Sequence, residues 1–250
     1  MSRAGKLLIQ VGFLAFVALA WELASRTGIV DSDILPPFSV VMRHVFELLF
    51  ASDLWIDLLT TISEVLLAVL IACPIGLAVG MILAENAYLR EVFRPFFFFG
   101  LSVPKSIFLP IFMLLLGIGF SQKTVFGFFQ AIFPLVIITA AAAETVPKDL
   151  LRLARASGAT RWQTFAHIQW PAMLPLVLES IRLALLFAIT GIMFAEMTAA
   201  QGGLGARIFV WGQQFQMADL IAGILIAGAL GMFFNETIRY YERRLGKWRQ

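Results

Sequence analysis

Residues 65–84 read VLLAVLIACPIGLAVGMILA, a run of 20 residues without a charged side chain. At about 1.5 Å of rise per residue, a helix of that length crosses a hydrocarbon core of roughly 30 Å. Residues 124–143 form a second uncharged run of 20. Neither run alternates apolar with polar positions, as the strands of a membrane β-barrel do. Both runs therefore predict transmembrane helices.

The composition puts the whole chain in the same class. Of its 250 residues 60% are hydrophobic, 14% are charged and 24 are Phe, which is more apolar than a soluble core requires. The single Cys73 lies in the first run, so we expect no disulfide. The net charge of +3 comes from basic residues beside the apolar runs, which the positive-inside rule explains better than a nucleic-acid partner. We predict an all-α integral membrane protein, a polytopic helical bundle that forms one domain over residues 1–250.

Six apolar segments predict six transmembrane helices, with boundaries good to several residues. They are residues 7–23, 54–84, 93–120, 124–143, 172–198 and 220–238. Between the first two, Pro36 and Pro37 lead into residues 40–50, which we interpret as a short helix on the outer surface.

The Lys and Arg residues orient these segments. With the N-terminus inside, 13 of them lie in cytoplasmic segments and 4 outside, while Lys105 and Arg182 lie within spans. The cytoplasmic set is Arg3, Lys6, Arg90, Arg94, Lys148, Arg152, Arg155, Arg161, Arg239, Arg243, Arg244, Lys247 and Arg249, and the outer set is Arg26, Arg43, Lys123 and Arg207. The positive-inside rule then places both termini and residues 144–171 in the cytoplasm.

The first apolar segment also resembles a cleavable signal peptide. Arg3 and Lys6 precede an apolar run that ends in Ala18-Leu19-Ala20, which has the form of a cleavage site. Removal would leave five spans with the same orientation. We favour retention, because Trp21 and Glu22 extend the helix to an interfacial anchor.

Residues 144–171, ETVPKDLLRLARASGATRWQTFAHIQWP, form a long polar break in the apolar pattern. After Thr145 and Pro147 the spacing predicts an amphipathic helix that ends at Gly158. Its apolar face carries Leu150, Leu151, Leu153 and Ala154, and its basic face carries Lys148, Arg152 and Arg155. Thr160 and Gln163 have the spacing of a capping box, which predicts a second short helix ending at Trp170 and Pro171. Two short helices bent at a glycine suit contact with another protein.

The order of residues in this segment resembles a known motif. The EAA loop of permease subunits in binding-protein-dependent ABC importers has the pattern E-A-A, three residues, G, nine residues, I-x-L-P. This segment resembles it, with Arg152-Leu153-Ala154, three residues, Gly158, nine residues and Ile168-Gln169-Trp170-Pro171. Further elements fall in the same order, and the set looks most like the sulfonate, taurine and nitrate branch. They are Leu35-Pro36-Pro37-Phe38, Val103-Pro104, Leu109-Pro110, Leu116-Gly117-Ile118-Gly119, Arg182, Ala195-Glu196-Met197, Gly203-Leu204-Gly205 and Glu242-Arg243-Arg244.

The resemblance implies a type I ABC importer fold and a permease subunit that catalyses no reaction. Its partners would be two cytoplasmic ABC ATPase subunits, which use ATP and Mg, a second permease copy in a homodimer, an external solute-binding protein and membrane lipid. The chain itself would bind no cofactor and no metal, and its place would be the bacterial inner membrane. The coupling residues would be Lys148, Arg152, Leu153, Ala154, Arg155, Gly158, Ala159, Thr160, Ile168 and Pro171. By analogy with the branch, the solute would be a small anion such as a sulfonate or a nitrate-like compound.

This chain departs from the motif at two positions. Arg152 stands where the motif has Glu, and Leu153 stands where it has Ala. Any contact that the Glu makes in the family is therefore in question here. The part of the motif that this chain keeps is the shape of the loop.

Four residues are candidates for the translocation pathway: Pro104, Lys105, Glu64 and Glu196. Pro104, Lys105 and Pro110 break the third span toward its cytoplasmic half, and such breaks are tolerated where protein or water satisfies the backbone. Lys105 could instead snorkel to the nearby interface, and both carboxylates could be interfacial.

Two further patterns within the spans each allow a functional and a structural interpretation. Glu179 and Arg182 share a helix face, which favours an internal ion pair over a solute contact. Gly76 and Gly80 form a G-x-x-x-G pattern that suits either packing inside one subunit or a dimer interface.

A second class of function is a self-sufficient secondary transporter with Glu64 or Glu196 as a proton relay. Such transporters usually contain an internal repeat, and the halves of this chain match in neither span length nor charge. The sequence also lacks a P-loop, and His44 and His167 each stand alone, so nucleotide hydrolysis and metal catalysis by this chain are not expected.

Overall fold

Every long apolar segment of the sequence is helical in the computed structural model, which describes residues 3–199 and 201–245. Within those ranges no residue lies in a β-strand. The helices are α1 (Arg3–Arg26), α2 (Phe38–Leu49), α3 (Ser52–Glu85), α4 (Ala87–Ser102), α5 (Leu109–Leu116), α6 (Phe120–Glu144), α7 (Lys148–Ala156), α8 (Arg161–Thr164), α9 (Trp170–Ala199), α10 (Leu204–Gln213) and α11 (Met217–Leu245). Of the predicted cytoplasmic cations, Lys247 and Arg249 lie outside the described residues.

Five helical stretches of the described chain are long and apolar enough to span a bilayer, namely Leu8–Arg26, Ser52–Glu85, Phe120–Glu144, Arg161–Thr198 and Met217–Tyr240. A sixth span results if the pair Ala87–Ser102 and Lys105–Leu116, bent by 90° relative to each other, is counted as one. The predicted all-α membrane fold is confirmed, and so are the positions of five spans.

The third predicted span is only partly correct. It was expected to run over residues 93–120, but α5 ends at Leu116 and Phe120 already begins α6. Gly117 ends α5 with φ +73°, and Gly119 precedes α6 with φ +152°, conformations that glycine adopts without a Cβ penalty.

The helix predicted for residues 40–50 is α2, at Phe38–Leu49, and its place on the outer surface stays a prediction. Hydrogen bonds from the end of α1 fix its approach: Trp21 Nε1 donates to Pro36 O at 2.9 Å, and Ser25 Oγ donates to Leu35 O at 2.7 Å. Glu22 Oε2 accepts from the Ser39 backbone N–H at 2.9 Å at the start of α2. Trp21 and Glu22 thus anchor α1 to the outer surface helix, and retention of the first segment stays a prediction.

The core forms where α3, α6 and α9 pack together. Small residues on their facing sides, such as Ala68, Ala131 and Ala188, are fully buried. Gly76 lies against Leu135, and Gly80 lies against Thr139, so that a Cβ on either glycine would come 2.6 Å from the partner's Cβ. The G-x-x-x-G pattern therefore packs α3 on α6 inside one chain, which is the structural interpretation of the two left open.

Candidate functional site

The predicted coupling segment, residues 144–171, contains α7 and α8. Gly158 follows α7 with φ +75°, and its N–H donates to Arg155 O at 3.1 Å. Ala159 N donates to Ala154 O at 3.0 Å, which closes the turn. This left-handed glycine ends the helix at the predicted position.

The capping box predicted after the turn is present. Thr160 Oγ1 accepts from Gln163 N at 3.2 Å, and Gln163 Oε1 accepts from Thr160 N at 2.9 Å. The two backbone N–H groups that begin α8 are thereby satisfied within the chain. The direction in which the chain re-enters the membrane is fixed by these bonds.

The predicted end of the second helix at Trp170 and Pro171 is wrong. The chain stays helical from Arg161 through α9, by way of a π turn at Phe165–Gln169. Proline lacks the N–H that an α-helix needs, and the wider π turn just before Pro171 changes the bonding pattern where that donor is absent. The second helix of the segment is thus the cytoplasmic start of the fifth span.

The side chains of the segment divide between the protein interior and the solvent. Ala154 is buried, and Leu151 and Ile168 pack beside Val146 and Met173 at the inner end of the core. Leu153 is 64% exposed and Trp162 is 73% exposed. The predicted apolar face of α7 is therefore split, and its outward half is free to contact another protein.

The basic side chains of α7 also point outward. Lys148, Arg152 and Arg155 are exposed. Arg152 makes only a 3.4 Å contact with Asp149, whose side chain is itself 92% exposed. A surface pair of this kind contributes little to stability, roughly 0–1 kcal/mol. The guanidinium that replaces the motif's Glu is thus available to a partner.

The second candidate region is the break between α4 and α5. Val103 and Pro104 leave the helix with ψ of 135° and 94°, a 3-10 turn follows at Lys105–Phe108, and Pro110 lies in the first turn of α5. Prolines at these positions lack the N–H that would continue α4. The predicted break of the third span is present.

Lys105 lies at this break and is only 6% exposed. Its Nζ donates to Gly100 O at 3.3 Å and lies 5.6 Å from the ring centre of Phe133 and 5.1 Å from that of Phe187. Phe133 is close to the middle of α6, about 16–20 Å from either end at 1.5 Å per residue. Lys105 is therefore near mid-depth in the bundle and does not snorkel to an interface.

The third region is a polar cluster buried between the first half of α3, the start of α6 and the end of α9. Lys123 is 1% exposed, and its Nζ lies 2.6 Å from Glu64 Oε1. Lys123 also donates to Gln201 O at 3.4 Å and to Gly202 O at 3.2 Å. One buried cation thus joins a carboxylate of α3 to the turn before α10.

The turn itself is held by further members of this cluster. Glu196 Oε2 accepts from Gly205 N at 2.8 Å, and Thr61 Oγ1 donates to Glu196 Oε1 at 2.7 Å and accepts from Leu204 N at 2.9 Å. A Cβ on Gly203 would overlap the Glu196 carboxylate, which explains why glycine stands there. The Gly203-Leu204-Gly205 element is therefore a close backbone approach to a buried carboxylate.

A surface ion pair closes the cluster toward the outside. Arg207 bonds Asp57 through Nε and lies 5.9 Å from the ring centre of Trp211. Asp57 Oδ1 also accepts from Gly203 N at 3.0 Å. Five ionisable side chains from four helices thus secure α10 to the bundle.

The structure places two of the four candidate pathway residues in one cluster and the other two at a separate site. Glu64 and Glu196 are both 0% exposed in this cluster, and their depth in the membrane stays a prediction. Pro104 and Lys105 lie at the break of the third span. Contact of a solute with any of the four stays a prediction.

Sequence reasoning missed Lys123, Asp57 and Thr61 as members of this cluster. The sequence places Lys123 among the outer charges, because it lies between the predicted spans 93–120 and 124–143. Asp57, Thr61 and Glu64 recur at i, i+4 and i+7, which places them on one face of α3 and could have signalled a buried polar stripe. The predicted pair Glu179 and Arg182 is present, with 3.3 Å between Oε1 and Nη2.

These features define a polytopic membrane protein with a helical contact segment, a broken span and a helix α10 held to the bundle by buried charges. A family model described as the inner membrane component of binding-protein-dependent transport systems matches residues 72–247. The chain belongs to this family.

Curated relatives agree over nearly the whole chain. The taurine transport system permease protein TauC of Escherichia coli K12 is 24% identical over 245 residues, which covers 96% of this chain and 89% of that protein. The putative aliphatic sulfonates transport permease protein SsuC of Bacillus subtilis 168 is 27% identical over 235 residues, which covers 94% of this chain and 85% of that protein. The chain is an ABC importer permease subunit, and the secondary transporter is not favoured.

The fold is also similar to a solved structure. An inward-facing conformation of the MetNI methionine ABC transporter has a chain that superposes with a TM-score of 0.65 at 20% identity, covering 84% of this chain and 98% of that chain. The type I ABC importer fold expected from the resemblance is confirmed.

Proposed function

We propose that this chain forms the translocation pathway of an ATP-driven importer in a bacterial inner membrane. In this proposal residues 1–250 are one transmembrane domain with a cytoplasmic coupling loop at residues 144–171. The solute is a small anion delivered from outside by a soluble binding protein. The chain binds no cofactor, and ATP and Mg are used by two associated ATPase subunits.

The observation that carries this proposal is the construction of the coupling loop. The glycine turn and the capping box fix α7 relative to α9, and Leu151 and Ile168 secure it to the inner core. A force on α7 would therefore act on the start of the fifth span and not dissipate in a loose loop. Because Leu150 and Leu153 stay exposed, the partner surface has an apolar groove to receive them.

The basic side chains of α7 specify the partner further. Lys148, Arg152 and Arg155 are exposed and carry three positive charges against the single negative charge of Asp149 on this helix. Complementary charge steers association and fixes register. The ATPase groove for this chain is therefore acidic at the position that meets Arg152.

A second copy of the chain completes the pathway in this proposal. Bulky apolar side chains of α4 and α5, among them Phe96, Phe99 and Leu114, are exposed in the single chain. Lipid can cover such side chains, but a pathway needs walls from two sides, and a homodimer supplies them. The basic residues at the inner helix ends orient both termini toward the cytoplasm.

The test is purification of the tagged chain from its own host in a mild detergent. We expect a P-loop ATPase to remain bound in equal copy number, with two copies of the chain in each complex. The stoichiometry is measured by mass spectrometry of the intact complex. A chain that purifies alone and drives uptake on an ion gradient would refute the proposal.

A further inference from the structure

Among the residues whose side chains are described, two lysines are buried, and their surroundings are opposite. Lys123 meets the Glu64 carboxylate at 2.6 Å and two backbone carbonyls. Lys105 meets only the Gly100 carbonyl and the faces of two phenylalanines. Within residues 3–199 and 201–245, no carboxylate pairs with Lys105. One buried cation is neutralised inside the chain, and the other is not.

A cation without a counter-charge at mid-depth is costly to the folded protein. The rings of Phe133 and Phe187 offset part of that cost, but a cation–π contact is weaker than a buried ion pair. An ammonium group also has three N–H donors, and a single carbonyl satisfies one. Ionisable groups at this depth mark the route of a solute by default.

We propose that Lys105 binds the oxyanion group of the transported solute halfway through the membrane, so that the permease itself selects anions. The solute class is a small molecule with a sulfonate, carboxylate or nitrate-like group. This inference rests on the proposed importer function and deepens it. The missing counter-charge of Lys105 is supplied by the solute during passage.

The position of Lys105 suits this role. The break at Val103 and Pro104 interrupts α4, and Phe187 lies on the same face of α9 as the exposed Thr190 and Phe194. The ammonium therefore sits at the edge of an exposed helix face, near the middle of α6 and α9. A solute that moved along this face would pass within reach of it.

A second unpaired cation lies on the cytoplasmic side of Lys105. Arg94 is on α4, over the ring of Phe98 at 5.4 Å, and no carboxylate of the described chain pairs with it. It lines a cavity of about 90 Å³ together with Arg90 and Glu144, which pair with each other at 2.9 Å. An anion that left Lys105 inward would find positive charge next along α4.

Uptake by the complete complex tests the inference. Proteoliposomes would contain the permease and its co-purified ATPase, with the binding protein outside and with taurine, methanesulfonate or nitrate as probes. We expect Lys105→Met to lower anion uptake at least tenfold, with basal ATP hydrolysis within twofold of the unchanged complex. Lys105→Arg, which keeps the charge, should retain at least a third of the uptake. The matched control is Arg43→Gln, which removes an exposed outer cation and should change neither rate.

Chemical labelling gives a second measurement that needs no known solute. In a Cys73→Ala background, Lys105→Cys should react with the water-soluble anionic reagent sulfonatoethyl methanethiosulfonate. Ala131→Cys, at a similar depth but fully buried in the core, should not react. If the Lys105→Cys thiol reacts no faster than the Ala131→Cys thiol, the inference is overturned, because a solute cannot contact a side chain that water does not reach.

The outcomes separate this inference from the importer function. Normal anion uptake by Lys105→Met, or equal loss in Lys105→Met and Lys105→Arg, would overturn the role of the charge and leave the importer standing. ATP-driven uptake of neutral solutes alone would also overturn it. Absence of any ATP-dependent uptake together with absence of a bound ATPase would instead refute the importer function.

Discussion

Replacing Lys123 by Met removes the buried cation that pairs with Glu64, in the same cluster as Glu196. Both carboxylates are 0% exposed, and Lys123 Nζ lies 2.6 Å from Glu64 Oε1. Removing one partner of a buried ion pair leaves an uncompensated charge and costs about 3–5 kcal/mol. In a chain of this length each kcal/mol lowers the melting midpoint by about 2–4 °C, so we expect a fall of about 6–20 °C.

Lys105→Met is the matched comparison, because it removes a buried lysine that has no carboxylate partner. A lysine at the centre of a bilayer costs about 2.5–3.5 kcal/mol, which its loss would recover. Two cation–π contacts of about 0.5–2 kcal/mol each are lost at the same time. We therefore expect the midpoint of Lys105→Met to fall by no more than about 6 °C or to rise.

A double variant isolates the pair. Lys123→Met alone leaves the Glu64 charge without its partner, and adding Glu64→Gln removes that charge as well. Coupling between residues in direct contact is about 0.5–3 kcal/mol, so the double variant should be more stable than the sum of the two single losses predicts.

The assay is thermal unfolding of the detergent-purified protein, followed by tryptophan fluorescence at one fixed scan rate, because membrane proteins often unfold irreversibly. Trp211, one of six tryptophans, is 8% exposed and its ring centre lies 5.9 Å from Arg207 of the same cluster, so part of the signal comes from this region. Equal losses in Lys123→Met and Lys105→Met would refute the reasoning, and so would strict additivity in the double variant.

Three further substitutions test other parts of the structure. Gly158→Pro cannot hold φ +75° and loses the N–H bond to Arg155, so ATP-coupled uptake should fall at least tenfold with normal insertion. The control Gly28→Pro, at φ +74° in the outer loop, should retain uptake, and similar rates in the two variants would contradict the coupling role. Arg152→Glu should weaken ATPase co-purification about tenfold. The melting midpoint should not change, because the Arg152 side chain is 77% exposed. Unchanged ATPase binding would argue against an acidic groove. Gly80→Ala places a Cβ 2.9 Å from the Val136 carbonyl oxygen and should lower the free energy of unfolding by about 1–3 kcal/mol, measured by thermal unfolding. The control Gly228→Ala, with no neighbour within 4 Å, should not destabilise the protein, and equal midpoints would contradict the packing of α3 on α6.

Local signals in the sequence predicted the local structure well. The uncharged runs predicted the spans because a helix must satisfy its own backbone in lipid. Gly158 and the pair Thr160 and Gln163 predicted a helix end and a capping box, because these depend on residues only a few positions apart. The same local reasoning failed at Pro171, where a π turn in the preceding residues lets the helix continue.

Contacts between distant residues were not predictable in the same way. The pairing of Lys123 with Glu64 joins residues 59 positions apart (123 − 64), and nothing near either residue in sequence marks the other. Position in sequence suggested a loop for Lys123, but α6 starts earlier than expected and buries it. The role of Gly76 and Gly80 was open between two interfaces until α6 was seen against them.

The sequence by itself determined the membrane class, five of the spans and the shape of the turn at Gly158, because hydropathy and capping act along the chain. Only the tertiary structure decided which buried charges have partners. A lysine at the start of α6 and a lysine at the break of the third span look alike in sequence. Packing gives one a carboxylate and surrounds the other with aromatic rings, because a counter-charge comes from whichever helix lies alongside.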